Sequence, residues 1–135
     1  INEEAVRTAR SNFEKNKALM KADGEFIVSD LFSNVRGKFD LIIFNAPYLP
    51  TERNEKNDMK AKAWQGGERG IELSMDFITG LKGHLKKDGN AILVASSISN
   101  FDGLISGIEK EGYKQNVEAK GHVFFEDIIV LRICK

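Results

Sequence analysis

Apolar positions at helical spacing open the chain, with Val6, Ala9, Phe13 and Met20 following Asn2-Glu3-Glu4 and basic residues gathering toward the far end. An asparagine ahead of two carboxylates predicts a helix start at Asn2. Its side chain can accept from unpaired N–H groups, and the acids meet the positive end of the dipole. Asp23-Gly24 predicts a turn, and Glu25 to Ser29 a short strand running out at Ser29-Asp30-Leu31-Phe32. After Gly37-Lys38 comes Phe39-Asp40-Leu41-Ile42-Ile43-Phe44, an apolar run of strand length. Such a run predicts a strand covered on both faces, as in a parallel sheet.

That strand stops at Asn45-Ala46-Pro47-Tyr48-Leu49-Pro50, which holds both prolines of the chain. Thr51 to Arg69 is polar, charged and without period, a long loop around the single tryptophan, Trp64. Ile71, Met75, Ile78, Leu81 and Leu85 mark an amphipathic helix, which Lys86-Lys87-Asp88-Gly89 is expected to end with a turn. Ala91 to Val94 reads as another buried strand, and Phe101, Leu104, Ile105 and Ile108 as a helix closed by Gly112. Tyr113 to Ala119, a Lys120-Gly121-His122 turn and Val123 to Ile133 predict an antiparallel hairpin. Val123, Phe125, Ile129, Leu131 and Ile133 would share one face, interrupted by Asp127 as a bulge or the partner of a buried cation, without a catalytic role. His122 reads as a turn residue. The order of elements gives an α/β sheet that finishes in an antiparallel hairpin.

Composition narrows the classes. A chain of 135 residues suits one domain, or part of one, with a single modest core. Its 20 Lys plus Arg balance 20 Asp plus Glu, so no bulk charge draws it to nucleic acid or to a membrane surface. The single cysteine, Cys134, can close no internal disulfide, which makes a cytoplasmic setting the default. With only His84 and His122 beside it, no metal site of thiolate and imidazole spacing is expected. No apolar run, Leu41 to Phe44 included, comes near the length of a membrane span. The chain opens on Ile1 without an initiator methionine and reads as a piece of something longer.

The candidate chemistry lies at Asn45-Ala46-Pro47-Tyr48. In open α/β sheets ligands bind at the carboxyl ends of strands. Asn45 sits at such an end with an amide that both accepts and donates. Pro47 fixes its own φ and biases Ala46 toward extended backbone, which holds the local carbonyls in place. Tyr48 offers an aromatic face to a flat group. The set suits a planar NH2, whose two N–H bonds can be accepted by Asn45 and by a backbone carbonyl. Its lone pair then faces an electrophile without help from a strong base. Asn and Pro also serve turns for conformational reasons alone, and the tetrapeptide by itself leaves both readings open.

The longer stretch Phe39 to Pro50 resembles the Asn-Pro-Pro-Tyr region of the HemK/PrmC-type glutamine N5-methyltransferases, where that motif follows an aromatic-Asp-hydrophobic strand. Ala63-Trp64-Gln65-Gly66-Gly67 with Gly70-Ile71-Glu72 is similar to the tryptophan and glycine loop of the archaeal and eukaryotic release-factor branch. Val123-Phe124-Phe125-Glu126 to Arg132-Ile133 resembles that branch's last strand. The resemblance covers essentially the whole chain. It implies a Rossmann-like class I methyltransferase sheet ending in an antiparallel hairpin and lacking its first two strands. Residues 1–135 would then be the C-terminal part of a single methyltransferase domain.

The resemblance further implies S-adenosylmethionine as cofactor, with Asp30 and Leu31 at the adenine, Ile1 packed on it, and Asn45 facing the methyl group. Asn45, the Ala46 carbonyl, Pro47, Tyr48 and Trp64 would hold the substrate, with Asn45, Pro47 and Tyr48 catalytic. The implied partners are a translation release factor, methylated on a glutamine, and a small zinc-binding activator docked on a sheet edge. An adenine N6 methyltransferase of DNA or RNA, which uses a similar clamp, is the alternative enzyme; a non-catalytic binding or scaffold fragment is the alternative of another class. Two departures stand out. Alanine replaces the family's proline at position 46, which loosens the clamp around Asn45. The glycine-rich cofactor loop and its two strands, which the fold places between Glu25–Ser29 and Phe39–Phe44, are absent. Unpaired central strands are a liability. The expectation is therefore a preceding segment, a companion chain or a rearranged sheet, and weak cofactor binding by this chain alone.

Overall fold

In a computed structural model the described residues are 2–19, 21–48, 68 and 70–135. They fall into two units, Ile1–Arg36 and Gly37–Lys135.

The first unit is built on α1, Glu3–Asn16, followed by a single 3-10 turn at Lys17–Leu19. Asn2 caps the helix as expected, its Oδ1 accepting from the Glu4 and Ala5 N–H groups at 3.0 and 3.1 Å. Phe13 meets Phe26 edge to face, with ring centroids 5.3 Å apart. Met20 lies outside the described residues. Glu25–Ser29, expected as a strand, joins no sheet among the described residues. A strand exists through its ladder, and here side chains serve two of the carbonyls a ladder would use. The Arg10 guanidinium donates to the Phe26 oxygen at 3.1 Å, and the Asn34 amide to the Val28 oxygen at 2.8 Å.

The second unit is a four-stranded sheet in the order β1-β2-β4-β3, with β1 Phe39–Asn45, β2 Leu85–Ser96, β3 Lys114–Val123 and β4 Glu126–Cys134. β1 and β2 run parallel, as a crossover through a helix requires, and β4 is antiparallel to both β2 and β3. The crossover helix α2 spans Glu72–His84, and α3 spans Phe101–Lys110, capped by Asn100. The core lies on one face of the sheet, where Ala91, Leu93, Leu131 and Ile133 are fully buried together with Ile78, Leu81, Leu104 and Ile108 of the helices. Alternation puts Leu41, Ile43 and Asn45 on the other face of β1. Leu41 is 55% and Ile43 67% exposed, so the expectation of a strand covered on both faces is corrected for β1. β1 is also an edge strand among the described residues, with β2 its one neighbour.

Two further boundaries differ from the sequence reading. Lys86-Lys87-Asp88-Gly89 is strand rather than turn. Phe39 pairs with Leu85 and Leu41 with Asn90, so β2 takes five steps where β1 takes two, and these polar residues ride in the bulge. A Cβ on Gly89 would stand 2.9 Å from the Phe39 carbonyl oxygen and 3.0 Å from that of Asp40, so glycine here answers a close backbone approach. Lys86 then reaches back to chelate the Asp40 carboxylate at 2.8 and 3.0 Å. The hairpin turn is not at Lys120-Gly121-His122 but at Phe124-Phe125, since His122 pairs with Asp127 and Val123 with Glu126. Val123 and Phe125 therefore leave the buried face on which Ile129, Leu131 and Ile133 lie.

Candidate functional site

Asn45 is the last residue of β1, level with Val94 of the parallel neighbour. The preceding side chain, Phe44, turns to the core face and packs on Phe77 of α2, ring centroids 4.7 Å apart. The strand tip is thus pinned to the crossover helix one residue before the amide. Asn45 points the opposite way and is exposed, and its carboxamide makes no hydrogen bond among the described residues. Ala46 follows with 2% exposure, and Pro47 and Tyr48 are half-buried. A buried residue on one side and a half-buried ring on the other give the exposed amide a fixed base. A donor and acceptor set at a strand's carboxyl end, with its hydrogen bonds unmade, is equipped to take a polar ligand group.

The same end of the sheet carries a second group of polar side chains, which the sequence did not single out as a unit. Ser96, at the end of β2, is fully buried and its hydroxyl bonds the carboxylate of Glu126, the first residue of β4. The next residues of the two segments, Ser97 and Asp127, are laced together. The Ser97 N–H donates to the Asp127 carbonyl at 2.9 Å, and the Asp127 N–H donates to the Ser97 hydroxyl at 2.8 Å. The Asp127 carboxylate takes Lys120 at 2.8 Å and His122 Nδ1 at 2.9 Å. The hydrogen bonds from Lys120 and then His122 hold its pKa below the ordinary carboxylate value. Asp127 therefore pairs with a cation, Lys120, as one of the two readings had it, but an exposed one, and with the exposed His122 ring beside it. His122 is a strand residue facing it. Only the register of β3 on β4 brings these three residues together, and a turn placed three residues early hides that.

In the first unit, Ser29–Val35 forms a tight polar turn. The Ser29 hydroxyl donates to the Leu31 carbonyl at 2.8 Å and accepts from the Asn34 N–H at 3.0 Å. The Asp30 N–H donates to the Ser33 hydroxyl at 3.1 Å. Leu31 adopts φ +44°, a left-handed conformation that costs a side-chain-bearing residue roughly 1–2 kcal/mol. The surrounding bonds hold it there, and Asp30 stands exposed with no hydrogen bond to its carboxylate among the described residues. An exposed carboxylate on a braced turn fits the acceptor that an exocyclic amine needs.

Of the residues proposed from sequence, the structure thus gathers Asn45, Ala46, Pro47 and Tyr48 at one strand tip and Asp30 and Leu31 in one turn. Ile1 and Trp64 lie outside the described residues. Among the described residues no three His, Cys, Asp or Glu side chains converge as a metal site, and no helix is long and apolar enough to cross a membrane.

Residues 1–119 match the family model of the methyltransferase small domain. A putative protein N5-glutamine methyltransferase of Methanocaldococcus jannaschii is 39% identical over 132 residues, which take in 97% of this chain and 65% of that protein. The eRF1 methyltransferase catalytic subunit mtq2 of Schizosaccharomyces pombe is 28% identical over 141 residues, covering 98% of this chain and 61% of that protein. The chain thus spans somewhat under two thirds of the length of either relative. Among solved structures, the E. cuniculi Mtq2-Trm112 complex superposes on 91% of this chain and 68% of its counterpart with TM-score 0.65 at 17% identity, a likeness of fold. The sheet is therefore of the Rossmann-like kind found in class I methyltransferases.

Proposed function

This chain belongs to the methyltransferase small domain family, and from that premise we propose that it supplies the substrate-gripping part of an enzyme that methylates a glutamine side-chain amide in a translation release factor. The observation that carries the reading is Asn45-Ala46-Pro47-Tyr48 at the carboxyl tip of a parallel strand, with the Asn45 carboxamide exposed and its hydrogen bonds unmade among the described residues. The names of the relatives from Methanocaldococcus jannaschii and Schizosaccharomyces pombe supply the substrate class.

The chemistry asks little of the protein beyond placement. S-adenosylmethionine, when bound, supplies an electrophilic methyl group on a sulfonium sulfur. The Asn45 side-chain oxygen accepts one N–H of the substrate amide and the Ala46 carbonyl accepts the other. Both bonds push electron density onto the nitrogen and leave its remaining lobe facing the methyl group. Tyr48 covers the flat amide, and Pro47 holds the backbone that carries the second acceptor. The Asn45 and Ala46 acceptors would keep hold of the two amide protons as the nitrogen took up the methyl group in exchange for the sulfonium bond, and one of those protons would pass to solvent. The Asp30 carboxylate is suited to accept from the adenine amino group, with Leu31 against the ring. A small zinc-binding activator on a sheet edge is the proposed partner, supported by the two-protein assembly of the structural neighbour.

The test is methyl transfer from labelled S-adenosylmethionine to purified release factor, with the label located by mass spectrometry. The expected site is a glutamine side chain. Label on an oligonucleotide instead would favour the adenine reading, and no heat on titration with S-adenosylmethionine would favour a scaffold.

A further inference from the structure

The β3–β4 hairpin ends in two neighbouring aromatic rings, Phe124 and Phe125, which are 91% and 81% exposed. Fold alone gives no reason for them. Phe124 sits at φ +54°, where glycine or asparagine is the ordinary choice and a bulky ring is the strained one. A ring that is both strained and in water marks a position kept for a use other than stability. The tip is also braced. Asp127 ties it to Lys120 and His122, and exchanges two hydrogen bonds with Ser97, one to its hydroxyl and one from its N–H; Glu126 is held by buried Ser96.

Its location gives the use. Asn45 is level with Val94, and Val94 with Val130, so the tip lies five residues beyond the row of Asn45 and two strands across. At ordinary strand dimensions that is roughly 19 Å from the amide, off the same end of the sheet. We propose that Phe124 and Phe125 form a docking post for the polypeptide that carries the methylated amide, gripping apolar residues about six positions along an extended segment from the reactive glutamine. This rests on the reading of Asn45 as the amide clamp. A polypeptide is the occupant because, among the described residues, the lysine of the hairpin beside the tip, Lys120, is committed with the His122 ring to Asp127, and the chain as a whole is neutral. A nucleic acid strand would need free cations for its phosphates as well as rings for its bases.

The experiment compares the full chain with its Phe124→Asn, Phe125→Ser double variant. Asparagine tolerates the positive φ, so the hairpin keeps its turn, which circular dichroism confirms. The probes are intact release factor, a five-residue peptide centred on its methylated glutamine, and a single-stranded oligonucleotide. For the intact protein, Kd and KM are expected to rise about tenfold or more, on the scale of a lost aromatic anchor, with kcat unchanged. For the short peptide, which cannot reach the tip, kcat/KM stays as it was. Unchanged Kd and KM for the intact protein overturn the docking post while leaving the amide clamp standing. An equal loss on the short peptide overturns it too, as does a loss confined to the oligonucleotide or a failure of the unmodified chain to bind release factor at all.

Discussion

On the proposed reading Asn45 contributes through what it leaves unpaired among the described residues. An exposed carboxamide costs the fold nothing while water serves it, and it would become an acceptor once a planar amide displaced that water. Its precision depends on the next residue. Ala46 permits backbone freedom at Asn45 that a proline would remove, so Ala46→Pro is expected to raise kcat about two- to fivefold through preorganisation, read in steady-state methyl transfer. Ala46 is buried, and a clash of the ring with its surroundings would show instead as a lowered unfolding midpoint. Asp127 makes a different prediction. Its folded pKa lies below the ordinary carboxylate value because Lys120 and His122 donate to it. A depressed pKa stabilises the folded state above the unfolded value, and the contribution is lost as pH falls through the folded value. Hydrogen exchange at the hairpin amides should therefore accelerate as pH drops below about 4 after correction for intrinsic rates, and Asp127→Asn should abolish that dependence.

Among the elements, β2 carries most of the organisation, pairing β1 on one side and β4 on the other. Its start is where glycine is indispensable. Gly89→Ala would push a methyl group against the Phe39 and Asp40 carbonyls, and urea unfolding is expected to show a loss of about 1–3 kcal/mol. Leu131, fully buried on the facing strand, should lose about 2–5 kcal/mol on change to alanine. The helices and the strands around them were legible because their signals are local: the Asn2 cap, the apolar period of α2 and α3, the run from Phe39 to Phe44. Lys86 to Gly89 was misread because a bulge and a turn use the same residues, and only pairing with β1 separates them. The hairpin turn was misplaced for a related reason. Lys120-Gly121-His122 looks like a turn, whereas two phenylalanines carry no turn signal at all.

For the whole molecule, the strand order and the tip of β1 decide what can be done. The tip's residues were readable from sequence since Asn-Ala-Pro-Tyr follows an apolar strand, and parallel pairing of that strand puts its carboxyl end where ligands bind. The cluster of Ser96, Ser97, Glu126 and Asp127 at the same end was not, because its members come from segments 30 residues apart and meet through antiparallel register. The expected short strand at Glu25–Ser29 failed for the converse reason: local composition suggested a strand, but a strand needs a neighbour. The most direct measurement is the rate of methyl transfer to release factor at saturating S-adenosylmethionine by the Asn45→Ala variant. Removal of a preorganised acceptor at the reacting nitrogen predicts a fall in kcat of about 10²–10³ with an unchanged circular dichroism spectrum. A rate equal to that of the unmodified protein would contradict the assignment of Asn45 as the residue that holds the amide.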